Sequence, residues 1–77
     1  MKKWEVKHGE DVILVENRAS GEKLFVNGEL QDERFGLNLG MILWGKLPSG
    51  ESIKVSLGGT WKMKCRVFVD SKLIYPK

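Results

Sequence analysis

The feature that most constrains the fold of this chain is an internal repeat. The octapeptide KLFVNGEL at residues 23–30 has a close counterpart, RVFVDSKL, at residues 66–73. When two extra residues are placed at the Gly58-Gly59 turn, the similarity extends upstream. It then matches Gly9-Glu10 with Gly50-Glu51, Val12 with Ile53, Leu14 with Val55, Leu24 with Val67 and Val26 with Val69. An insertion in a turn leaves strand pairing intact, so the repeat predicts two similar structural units.

Both copies consist of short β-forming runs bounded by turn residues. These runs predict strands at residues 3–7, 11–17, 22–27, 29–33, 41–47, 51–57, 61–69 and 72–75, with weaker alternation at 34–38. Asn27-Gly28 is the strongest turn signal, because both central residues of a type I′ hairpin have positive φ. Asp70-Ser71 holds the same place in the second copy. No segment predicts a helix.

A small meander has an apolar face that it cannot bury alone, and a second copy supplies the missing partner. We therefore predict an all-β fold, a small antiparallel β-sandwich built from two similar β-meander repeats. The 77 residues form a single β domain over 1–77. The first repeat covers about 9–30, connecting strands cover 31–49, and the second repeat covers about 50–73.

The hairpins VNG (26–28) and VDS (69–71), a Trp near the start and the central segment FGLNLGMILWG (35–45) resemble the Fas apoptotic inhibitory molecule family. The resemblance spans about residues 4–73. It implies a compact β-sandwich that is non-enzymatic and acts through protein–protein contacts. Ser71 stands where that family has a turn glycine, and we carry over the fold but not a role in death-receptor signalling.

The apolar runs and the Cys and His content limit the classes of protein to which this chain can belong. No apolar run reaches the ~18 residues of a membrane span, and MKKWEVKHGED is not a signal peptide. With the single Cys65, these features predict a cytoplasmic protein without membrane contact. Cys65 and the lone His8 supply neither a nucleophile–base pair nor a zinc site. We expect no enzymatic activity and no cofactor or metal.

A basic ladder is the first candidate for an interaction surface. Alternation over residues 61–69 places Lys62, Lys64 and Arg66 on one face with Phe68, and Cys65 on the opposite, buried face. Successive basic groups are then ~7 Å apart. The ladder could contact phosphates or an acidic protein, or it could be a solvated face that protects a sheet edge from aggregation. Nucleic-acid binding would also need exposed aromatic rings beside it.

Phe25 and Phe68 are the second candidate. Each lies beside a hairpin turn, on the face opposite its buried neighbours. These rings are therefore either covered by a loop or terminus or exposed as a contact patch. We expect Trp4, Trp44 and Trp61 to pack in the core or at its rim. The acidic cluster at Glu29, Asp32 and Glu33 lacks calcium-loop spacing and predicts a solvated strand surface.

Three hypotheses for function follow. The first is a non-enzymatic binding module that contacts an unknown protein partner, or a second copy in a homodimer, through a sheet edge or through Phe25 and Phe68. The second is a nucleic-acid-binding domain that uses the basic ladder. A net charge of +3 is low for a dedicated nucleic-acid binder, which favours the first. The third is a small-ligand carrier or an enzyme, with a pocket between the sheets that no motif reveals.

Overall fold

The computed structural model describes residues 1–36, 40–59 and 62–77. Regular structure in these residues is confined to eight strands: β1 Lys2–His8, β2 Asp11–Arg18, β3 Gly21–Val26, β4 Glu29–Phe35, β5 Gly40–Lys46, β6 Ser52–Gly58, β7 Lys64–Val69 and β8 Lys72–Tyr75. The first four strands form one antiparallel sheet in chain order, and the last four form another. The prediction of a β-sandwich made of two similar meanders is confirmed.

Strict alternation along the strands builds the core. Ile13, Val15 and Leu24 of the first sheet are fully buried, as are Leu43, Val55 and other residues of the second sheet. The buried side chains of both sheets belong to a single cluster. Since each fully buried aliphatic side chain contributes about 1.5–3 kcal/mol, this shared layer is what makes either sheet stable.

The two β-turns that carry the repeat have the same geometry. Asn27 and Gly28 have φ of 51° and 84°, and Asp70 and Ser71 have φ of 47° and 68°. In both hairpins the first turn residue also accepts a hydrogen bond from a neighbouring strand, at 2.9 Å in each case: Val12 N–H donates to Asn27 Oδ1 and Ser52 N–H donates to Asp70 Oδ1. The predicted type I′ character of the Asn27-Gly28 turn is confirmed, and the Asp70-Ser71 turn has the same positive φ values.

The hydrogen-bonded registers correct one part of the repeat alignment. Ile13 lies opposite Val26, and Ile53 lies opposite Val69. Because Val26 and Val69 correspond, Ile53 corresponds to Ile13 and not to Val12. The sequence alignment that matches Gly9-Glu10 with Gly50-Glu51 is one residue out of register there, because the turns that contain these pairs differ in length. A one-residue slip moves every side chain to the other face.

Residues 31–49, predicted as connecting strands, contribute to both sheets. Most of β4 and all of β5 fall there, so each sheet has four strands and not three. The weak alternation at 34–38 and the start of the predicted strand at 61–69 fall partly on residues 37–39 and 60–61, which lie outside the described residues. Within the described strand, β7 begins at Lys64.

Side chains of β4 close one edge of the sandwich. Trp44 N–H of β5 donates to Asp32 Oδ2 at 2.8 Å, and Lys46 N–H donates to Gln31 Oε1 at 3.3 Å. Gln31 is free to do this because the register shifts between Leu24 and Phe25, which leaves it without a partner on β3. Two of the outward-facing donors of the β5 edge are thereby covered. No helix in the described part of the chain is long and apolar enough to cross a membrane.

Candidate binding face on the second sheet

The structure brings together three of the five predicted surface residues. Lys64 and Arg66 are exposed and Phe68 is half-buried on the outer face of β7, while the residues between them point into the core. Lys62 is exposed just before β7 begins. Phe25 lies on β3, on the outer face of the other sheet, so the two phenylalanines are on opposite sides of the sandwich and form no common patch.

An aromatic row crosses the outer face of the second sheet. Paired registers place Trp44 opposite Lys54, Lys54 opposite Phe68, and Phe68 opposite Leu73. Lys54 Nζ lies 5.8 Å from the centroid of the Trp44 ring and 5.7 Å from that of Phe68, within cation–π range of both. Trp44 is 53% exposed, so its expected role in packing is wrong.

Other cations and small polar groups surround this row. Lys46 and Arg66 lie on the same face as Lys54, and the register places Arg66 opposite Ser56. We call this outer surface the basic face; it consists of Ile42, Trp44, Lys46, Ser52, Lys54, Ser56, Lys64, Arg66, Phe68 and Leu73. The four strands that build it contain no Asp or Glu. Among the described residues, the ion pairs all lie in the first sheet.

Charge is therefore segregated between the two sheets. The strands of the first sheet carry seven acidic and six basic side chains, whereas those of the second carry five basic ones and no acid. The sequence contains this signal, because residues 1–36 hold eight of the ten acidic residues. Charge asymmetry between halves of a chain points to a polyanionic partner, and the overall value of +3 conceals it.

The outer face of the first sheet has a different character. Phe25 is half-buried between Leu14 and Leu30, which are its partners on the neighbouring strands. The next row is electrically balanced, with Lys3 Nζ 3.7 Å from Glu16 Oε2 and Lys23 Nζ 3.3 Å from Glu33 Oε2. Leu30 is 50% and Phe35 72% exposed. Phe25 is thus partly covered by neighbours in its own sheet.

Cys65 and Asp32, two residues with ionisable side chains, are held in place by the fold around them. Burial raises the pKa of Cys65 to about 12, so its thiol is protonated at neutral pH and a poor nucleophile. Asp32 is not the solvated carboxylate that was expected. Burial acts to raise its pKa, but hydrogen bonds from the backbone of Trp44 and Glu33 and the charge of Arg34 outweigh burial, and the pKa lies below its ordinary value. No group of three potential metal-ligating side chains occurs within the described ranges.

Comparisons with protein-family models, curated proteins and solved structures find no match. The resemblance to the Fas apoptotic inhibitory molecule family therefore stays a prediction.

Proposed function

We propose that the protein is a non-enzymatic binding module that binds single-stranded nucleic acid on the basic face. One observation carries the proposal. Trp44 and Phe68 lie in one row on either side of Lys54, on a face whose strands contain four further cations and no carboxylate. A polyanion with unpaired aromatic bases is the ligand class that uses both properties.

The spacing of the two rings leaves room for the backbone of a single strand between two stacked bases. Neighbouring β-strands are ~4.8 Å apart, so the rings of Trp44 and Phe68, two strands apart, are separated by about 10 Å. Bases stacked on these two rings would leave Lys54 between them, where the linking phosphate passes. Lys64 and Arg66 would contact phosphates further along. Base–aromatic stacking contributes about 1–3 kcal/mol per base, and phosphate contacts add a salt-dependent term.

Other ligands use the basic face less well. In a duplex the flat faces of the bases are covered by the neighbouring base pairs, so Trp44 has no base face on which to stack. A second copy stacked on this face would bring like charges together, which costs several kcal/mol. Strand addition at an edge, the favoured hypothesis from sequence, meets the covered donors of β5. At the opposite edge of the first sheet, β1 carries Lys2, Lys3 and Lys7, which discourage pairing.

Fluorescence anisotropy with a labelled single-stranded 12-mer tests the proposal. We expect binding that weakens steeply with salt, and a loss of at least ~5-fold for Trp44→Ala and for Lys64→Glu. Lys7→Glu makes the same charge change on the outer face of the first sheet and should affect binding far less. The proposal fails if no single-stranded DNA or RNA binds in low salt, if Lys7→Glu weakens binding as much as Lys64→Glu, or if an acidic peptide binds equally well.

A second candidate function rests on the outer face of the first sheet. Leu30 is exposed beside half-buried Phe25, and Phe35 is exposed at the far end of β4, beyond the Lys23–Glu33 pair. The charges between them balance, which suits a protein and not a polyanion. The row Lys3, Glu16, Lys23, Glu33 is neutralised by ion pairs within the sheet, so two copies related by a two-fold axis could stack here without bringing unpaired like charges together. The favoured occupant is therefore a second copy of the chain.

Sedimentation equilibrium separates this candidate from the first. Leu30 and Leu73 correspond in the repeat and are both 50% exposed, one on each outer face. If the first sheet forms a homodimer, Leu30→Glu dissociates it and Leu73→Glu does not. A monomeric wild-type protein at ~100 μM would exclude a dimer of ordinary stability.

A further inference from the structure

A cleft opens at the edge of the sandwich opposite the closed β4–β5 edge. Its volume is about 360 Å³, and its lining includes the cations Lys2, Lys62, Lys64 and Arg66 and the rings of Trp4 and Tyr75. Among the described residues, no acidic side chain lines it. Ligand pockets have volumes of ~300–1,000 Å³, so the space suits a ligand about the size of one nucleotide.

The cleft exists because the two sheets differ at one place. In the first sheet β4 continues to Phe35 and pairs with the whole of β3. In the second sheet β8 pairs with β7 only over residues 67–69, and Pro76 follows, which cannot donate to a ladder. Residues 64–66 of β7 consequently have no strand partner on that side within the described ranges, and they line the cleft.

We propose that this cleft binds a single nucleotide, with its base against Trp4 and Tyr75 and its phosphate among the surrounding cations. The inference rests on the proposed nucleic-acid function and adds a second, more selective site to it. An unpaired strand edge presents main-chain N–H and C=O groups, which are complementary to the donors and acceptors along the edge of a base. The rings supply a stacking surface, and Arg66 supplies planar donors for phosphate oxygens.

Two features favour a nucleotide over other small anions. Trp4 and Tyr75 are half-buried and pack against the core, so the rings are held in place before a ligand arrives. Lys64 and Arg66 belong to both the cleft and the basic face. A strand that crosses the basic face could therefore place its terminal nucleotide in the cleft. The ligand is either that terminal nucleotide or a free mononucleotide, which share the same chemistry.

Amide NMR titrations with AMP, adenosine and inorganic phosphate test the inference. We expect AMP to shift the amides of residues 64–66 and the indole N–H of Trp4. Adenosine should bind at least ~5-fold more weakly because it lacks the charged contacts, and phosphate alone should leave the Trp4 indole unchanged. A 5′-phosphorylated tetranucleotide that shifts the same signals at lower concentration than AMP identifies the strand terminus as the source; equal potency identifies the mononucleotide.

Variants distinguish failure of this site from failure of the basic face. Lys2→Gln, at an exposed residue that lines only the cleft, and Tyr75→Leu should weaken AMP binding by ~5-fold or more. They should change binding of a 12-mer labelled at both ends, whose blocked termini cannot enter the cleft, by less than ~2-fold. Trp44→Ala should instead weaken binding of the 12-mer and leave AMP binding nearly unchanged. If AMP shifts no cleft signal while the 12-mer still binds, the cleft proposal falls and the basic face stands. If an acidic peptide shifts residues 64–66 and AMP does not, the cleft is a strand-addition site and the proposal is wrong.

Discussion

Asp32 of the first sheet accepts a hydrogen bond from the backbone N–H of Trp44 in the second sheet, at 2.8 Å. The other carboxylate oxygen accepts from Glu33 N–H at 2.8 Å and from Arg34 Nη1 at 2.6 Å. One side chain therefore joins the edges of the two sheets, and it holds the backbone from which the Trp44 ring projects onto the basic face.

Asp32→Asn should destabilise the protein by about 1–2 kcal/mol at pH 7, because charge-assisted hydrogen bonds become neutral ones. The pKa of Asp32 is lowered in the folded state, so its contribution is present above the ordinary carboxyl pKa and is lost as pH falls through the folded value. Urea unfolding at pH 7 and at pH 3 measures this. Glu29→Gln, at an exposed residue of the same strand, is the control, and an equal loss for both variants would contradict the assignment.

Glu22→Gln should stabilise the protein at pH 7 by about 1 kcal/mol. Glu22 is 4% exposed, and within the described residues its Oε2 has no hydrogen-bond partner; burial raises its pKa. The folded state then binds the proton more tightly than the unfolded state, so wild-type stability rises as pH falls toward the ordinary carboxyl pKa. The advantage of the variant should shrink over that range in thermal unfolding. A variant less stable than wild type at pH 7 would show that the carboxylate is stabilised after all.

Ser71→Gly should stabilise the second hairpin by about 1 kcal/mol. Ser71 has φ of +68°, a left-handed conformation that costs an L-residue other than Gly or Asn roughly 1–2 kcal/mol. The equivalent residue in the first hairpin is Gly28, at φ +84°, and Gly28→Ser should cost a similar amount. Chemical denaturation of the reciprocal pair tests both signs at once. Two changes of the same sign would mean that the hairpins are not equivalent.

The Cys65 thiol should resist modification in the folded protein. It is 4% exposed, with a pKa raised to about 12 by burial, so at pH 8 almost no thiolate is present and the reagent cannot reach it. Reaction with a chromogenic disulfide should become fast only in denaturant, in proportion to the unfolded fraction. Rapid stoichiometric reaction without denaturant would show that reagents reach the thiol through the cleft that Cys65 helps to line.

The strands and both hairpins could be predicted because their signals are local. Alternation along Lys64–Val69 and the turn residues at 27–28 and 70–71 are read from a few neighbouring residues. Pairing register is not local, since the two Gly-Glu pairs match in sequence while the turns that contain them differ in length. Only the pairing of Ile13 with Val26 and of Ile53 with Val69 shows which residues correspond.

The candidate site was predictable in part. The basic ladder and Phe68 followed from alternation, but the run MILWGKL is apolar on both faces and does not show which of Leu43 and Trp44 points inward. That choice depends on contacts between sheets, such as the one from Asp32. The short β8 that opens the cleft could not be foreseen either, because the pattern at 72–75 resembles the start of β4.

The segregation of acidic and basic side chains has a consequence before any contact is made. Two sheets packed ~10 Å apart, one carrying five cations on its strands and the other nearly neutral, give the molecule a permanent dipole moment perpendicular to its layers. In the electric field of a polyanion the protein would rotate until the basic face, which carries Trp44, faces the polyanion. Orientation would then be largely decided during diffusion, and added salt would slow association more than it speeds release.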